Sequence, residues 1–173
     1  MKVIRNNVFE TNSSSTHTII IPRNKIKVES NNTKTIIAHI GEYGWEYHTY
    51  HNLLDYIYTA ICCIYDDKYK EYTSKIDEIA SKYNIKIEWE EPEFSYSYDD
   101  DGNVTYCYLD NGYIDHSDEL EDFLTDLFAD DSLVIDAIFS GYVNTGNDNE
   151  DYSEGWEDDE QTNEDCYYYY KGN

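Results

Sequence analysis

The chain has 173 residues, with 37 Asp and Glu against 12 Lys and Arg, for a formal net charge of −25. A field of that sign disfavours direct binding to nucleic acid or an anionic membrane and favours basic clefts. The length predicts one domain with a buried core, and no apolar run approaches the ~20 residues that span a bilayer.

The opening, MKVIRNNVFETN, lacks the apolar stretch of a signal peptide, and a cytoplasmic protein is expected. The four cysteines, Cys62, Cys63, Cys107 and Cys166, show no spacing of a disulfide framework or zinc site, in keeping with a reducing compartment.

In chain order, Val3 to Phe9, His17 to Ile21, Lys25 to Val28 and Thr35 to Ile40 read as short strands broken by Asn, Ser and Pro22. Residues 41–47 form a Gly- and aromatic-rich link. Leu53, Leu54, Ile57, Ile61 and Ile64 then repeat at helical spacing and predict a mostly buried helix over 49–65. Asp66 and Asp67 cap a second helix, about 67–83. Period two returns at Ile85, Ile87 and Trp89. FSYSY and VTYCY flank DDDGN as a hairpin, and Asn111-Gly112 turns the chain back into a meander.

Ser117 caps a third helix, in which Leu120, Phe123, Leu124, Leu127 and Phe128 trace the clearest amphipathic face. Leu133 to Val143 reads as a buried strand. The fold class is α+β: a mixed or antiparallel sheet with a β-meander, about three helices and an acidic tail. Residues 1–145 form the domain, and 146–173 a mobile or partly docked tail.

Charge divides the chain more sharply than structure does. Residues 1–92 carry a net −2 and residues 93–173 a net −23, with Lys171 the one cation there. Asp118, Asp122 and Asp126 are spaced i, i+4 on the face of the third helix away from the core. They repeat every ~6 Å, close to the spacing of phosphates on a nucleic-acid strand. Like charges so placed cost a helix a few tenths of a kcal/mol each. Binding to a basic cleft is the functional reading; a solvated face in a generally acidic protein is the bland one. Asp99, Asp100, Asp101, Asp115, Glu119, Asp130 and Asp131 extend the field. The 20 tyrosines supply flat aromatic faces between the acids.

Other constellations are weaker. Ser13, Ser14, Ser15 and His17 offer hydroxyls beside an imidazole, an alternative catalytic set, although no Gly-x-Ser-x-Gly elbow or orienting acid accompanies them. A turn tied by its own side chains is the simpler meaning. His48 and His51 share helical spacing, but no further metal ligands are assigned. DDDGN at 99–103 lacks acids at the first and twelfth positions of a calcium loop. No cofactor motif is present, and no cofactor or metal is expected.

The segment Val8-Phe9-Glu10-Thr11-Asn12-Ser13-Ser14-Ser15-Thr16-His17-Thr18 resembles the start of small proteins encoded by phages and mobile elements of low-GC bacteria. Leu120 to Asn149 looks loosely like their end. The Asn-, Ile-, Lys- and Tyr-rich composition fits such a source. The class to which the resemblance points includes inhibitors of host defence, among them anti-CRISPR and anti-restriction proteins that mimic DNA. The expected function is stoichiometric inhibition of a host nucleic-acid-binding enzyme, most simply a CRISPR effector nuclease, through a basic cleft. The alternatives are an enzyme using Ser13 to His17 on a defence component, and a phage accessory or structural protein whose charge confers solubility. The sequence leaves the oligomeric state open.

Overall fold

The computed structural model describes residues 15–23, 32–147 and 166–171. The strands expected at Val3 to Phe9 and Lys25 to Val28 lie outside these residues, as do Ser13 and Ser14.

The fold is α+β, built around one helix. That helix, α1 (Leu53–Ile64), is apolar nearly all round, with nine of its residues buried. A helix without a polar face belongs at the centre of a core. On one side lies a sheet containing β1 (Ser15–Pro22) and β9 (Tyr142–Asn147). Strands β4 (His48–Tyr50) and β10 (Cys166–Lys171) complete it in the order β10-β1-β9-β4, all antiparallel. Ile19, Ile21 and Val143 are buried on its inner side. Elsewhere α2 (Tyr69–Ser81) backs a parallel pair, β2 (Lys34–Ala38) and β5 (Ile85–Trp89). Trp89 ties that pair to the helix by donating from Nε1 to Asp77 at 3.1 Å.

Several elements differ from the sequence reading, among them the second helix, which starts at Tyr69 without a side-chain cap from Asp66 or Asp67. Asp131–Ser140 is a helix, α4, where a strand over Leu133 to Val143 was expected. Five consecutive buried residues, Leu133 to Ala137, give no period that separates a buried strand from a buried helix. The deciding signal is local: Asp130 accepts from the Ser132 backbone N–H at 2.9 Å and caps the helix. Part of the segment read as a tail docks on the domain, as one of the two expected readings has it. β9 runs to Asn147, and β10 pairs with β1 from His17↔Lys171 to Pro22↔Cys166.

The helix expected from 49 begins at Leu53, because His48–Tyr50 joins the sheet. Phe94–Tyr98 (β6) and Val104–Leu109 (β7) form the expected hairpin. The meander expected after Asn111-Gly112 does not form: Tyr113–Ile114 (β8) pairs in parallel with Glu42–Tyr43 (β3) and not with β7. Gly112 permits this approach, since a Cβ there would sit 2.6 Å from the Gly41 carbonyl oxygen.

Candidate partner-binding surface

The third helix starts as a 3-10 turn, Ser117–Leu120, and continues as α3, Glu121–Ala129. It is entered through His116 at φ 53°, and Ser117 is not its N-cap. Phe123, Leu124 and Leu127 are buried, leaving Glu121, Asp122 and Asp126 exposed.

The 3-10 turn alters the expected acidic column. With three residues per turn, Asp118 aligns with Glu121 and falls out of line with Asp122. By the same spacing Glu119, Asp122 and Asp126 fall in a row, and all three carboxylates act on the Tyr169 phenol. Strand β10 lies against it. The Tyr169 hydroxyl donates to the Glu119 carbonyl oxygen at 2.8 Å, and the Tyr167 hydroxyl to Asp126 Oδ2 at 3.1 Å. Both rings pack near Phe123, at 6.4 Å for Tyr167 and 5.6 Å for Tyr169. Burial, and then the carboxylates of Asp122, Glu119 and Asp126, push the Tyr169 phenol up. Burial, followed by the bond to Asp126, does the same at Tyr167. Both phenols therefore stay protonated and serve as donors.

A second group of acids adjoins the row through β8. Register sets Glu42 opposite Tyr113, and the Asp115 N–H donates to the Tyr43 carbonyl at 2.9 Å. Burial and then Glu42, Asp115 and Glu46 raise the Tyr113 phenol. Glu42 and Glu46 are exposed members of this face that sequence reasoning missed. Only the β3–β8 pairing brings them to Asp115, and no local pattern foretold it. Asp115 also lies 3.9 Å from His116 Nε2.

Other expected members are engaged elsewhere. Asp130 pairs with Arg23 at 2.9 Å while capping α4, and Ser132 followed by Arg23 holds its carboxyl down at about 2. Asp131 pairs with Lys82 at 2.9 Å. Each of these two carboxylates is neutralised by a cation, so neither extends the anionic field as expected. Asp99 is a turn-former. It accepts from the N–H groups of Asp101 and Asn103 and from Asn103 Nδ2, and the Asn103 side chain leads in lowering its carboxyl. Asp100 and Asp101 remain exposed at the hairpin tip.

The alternative catalytic set has a different setting. His17 is fully buried. Its Nε2 lies 3.1 Å from the Gly44 carbonyl, so Nε2 carries the proton, and Nδ1 accepts from the Tyr56 hydroxyl at 2.7 Å. The imidazole ties β1 to α1 and to the segment leading into β4. Ser15 is also buried. His48 packs on Tyr50 and His51 near Tyr142. Among the described residues no group of three or more His, Cys, Asp or Glu is placed to hold a metal. No described helix is long and apolar enough to cross a membrane.

Comparison with protein-family models, curated proteins and solved structures gives no match.

Proposed function

We propose that the protein is a phage-type, stoichiometric inhibitor of a host nucleic-acid-binding defence enzyme, and that the enzyme is a CRISPR effector nuclease. Its acidic face occupies a cleft that otherwise holds phosphates. The observation that carries this reading is a contrast between acids. Asp130 and Asp131 are paired with cations. Among the described residues, Glu119, Asp122 and Asp126 have no ion-pair partner and lie in a row beside two tyrosines. A row of Lys and Arg built for phosphates would meet that ridge.

The test is DNA cleavage by a panel of purified CRISPR effector nucleases titrated with the protein at low and high salt. Inhibition of one of them at about one molecule per nuclease, fading as salt rises, is expected. Changing Glu119, Asp122 and Asp126 together to Lys should abolish it and leave the circular dichroism spectrum unchanged. Full inhibition by that variant would refute the ridge, and a panel without inhibition would refute the choice of target. Inhibition at far less than one molecule per nuclease would replace mimicry by catalysis, with Ser13 to His17 as the candidate set.

A further inference from the structure

The β6–β7 hairpin carries aromatic surface that the core does not use. At its root Phe94 packs 5.8 Å from Tyr69, and the Asp110 N–H donates to the Glu93 carbonyl at 2.7 Å. At its tip the Asp99 hydrogen bonds and Gly102, at φ +82°, lock the turn. Among the described residues, the two strands pair only with each other.

The face opposite Phe94 and Leu109 presents Tyr106, Tyr108 and Asp110 in sequence, because alternate residues of a strand share a side. Tyr106 and Tyr108 are 4.2 Å apart, centroid to centroid. Their cross-strand neighbours are Ser97 and Ser95, too small to cover the rings. Tyr108 is 49 % exposed. Asp110 lies at one end of this strip, hydrogen-bonded to Ser95, and Asp100 and Asp101 lie at the other.

Tyrosine faces bracketed by carboxylates complement one common side chain. A guanidinium is planar, stacks on an aromatic ring and pairs with a carboxylate at its edge. An ammonium group offers charge without a stacking plane. Charge selects the partner further: no Lys or Arg occurs from Ile87 to Tyr170, so a second copy would be repelled. We propose that the β6–β7 arm is an arginine-docking element, on which Tyr106, Tyr108 and Asp110 receive guanidinium groups of a basic partner protein. The proposal rests on reading the protein as a ligand for basic clefts and specifies the chemistry of the contact. The locked turn presents the strip preorganised, which lowers the ordering cost of binding.

The experiment uses fluorescein-labelled octa-arginine and octa-lysine peptides, with fluorescence anisotropy at fixed ionic strength. The full-length chain should bind octa-arginine about two- to five-fold more tightly than octa-lysine, as expected for an exposed cation–π contact. Tyr106→Ser/Tyr108→Ser should bind both peptides equally and keep its melting curve. Tyr108→Ser alone, at an exposed position, should remove most of the preference and covers the case in which the double variant fails to fold. Asp122→Asn/Asp126→Asn should weaken both peptides and keep the preference. Equal binding by the unaltered chain, or a preference that survives Tyr108→Ser, would overturn the proposal. Dimerisation in analytical ultracentrifugation that disappears in Tyr108→Ser would also overturn it, by assigning the strip to a second copy. The nuclease panel is independent of these results: inhibition without arginine preference rejects the strip alone, and preference without inhibition rejects the nuclease target alone.

Discussion

The Tyr167 hydroxyl donates to the Asp126 carboxylate across 41 residues of chain, joining the last strand to the acidic helix. The bond makes β10 part of the ridge and holds one of its three carboxylates in place. Tyr167→Phe should cost about 1 kcal/mol, the usual worth of one hydrogen bond. Removing residues 166–173 should cost considerably more, because β1 loses a strand and Phe123 loses both of its tyrosine neighbours. Urea denaturation of the two variants would measure the difference; equal losses would show that packing by β10 contributes little.

His17 and Tyr56 form a buried pair whose loss is costly from either side. Tyr56→Phe leaves imidazole Nδ1 buried without its 2.7 Å donor, which should cost about 1–3 kcal/mol. His17→Ala should cost more, since it also frees the Gly44 carbonyl and opens a cavity among β1, α1 and the 44–47 segment. Thermal melts provide the check. A neutral Tyr56→Phe would show that water or another donor takes over.

Acid should weaken the α3–α4 junction through Asp130. Its carboxyl titrates at about 2 in the folded chain, below the value of about 3.9 for a free aspartate. Because the folded value is the lower one, the stabilisation is complete above about pH 4 and is lost as the pH falls toward about 2. Asp130→Asn keeps an N-cap side chain and removes the charge. Its stability should therefore fall less steeply over that window than that of the unaltered chain. Identical slopes in urea melts at several pH values would show that Arg23 and Ser132 do not act through Asp130 ionisation.

The thiols should react in an order set by exposure and thiolate access. Cys166 is exposed and Cys62 buried. Burial pushes the Cys62 thiol up to about 12, and at Cys107 burial with an Asp66 hydrogen bond does the same. Since the thiolate is the reactive species, a disulfide exchange reagent should label Cys166 first and Cys62 only on unfolding. Cys166→Ser should remove the fast phase. Its persistence would mean that another cysteine becomes exposed in solution.

The parts of the site that were legible from sequence are those made by neighbouring residues. The core stripe from Leu120 to Phe128 sets which side of α3 faces outward, so Asp122 and Asp126 were assigned correctly to the open face. Asp99, Gly102 and Asn103 announced the hairpin turn, because the hydrogen bonds of that turn lie within five residues. Glu119 took the place assigned to Asp118 for a subtler reason. The helix opens with a 3-10 turn, and periodicity read at 3.6 residues per turn misplaces its first acid.

By itself, the sequence determined the α+β class, the buried central helix, the charge division and the outward acids of α3, since each follows from composition or short-range periodicity. Tertiary structure alone decided which acids remain available. Arg23 and Lys82 reach Asp130 and Asp131 from distant segments. The β3–β8 pairing brings Glu42 to Tyr113, and β10 carries Tyr167 and Tyr169 to the ridge. Ion pairs and strand partners are contacts between residues far apart in the chain. Hydrophobic periodicity records which side of an element is buried, but not which other element buries it.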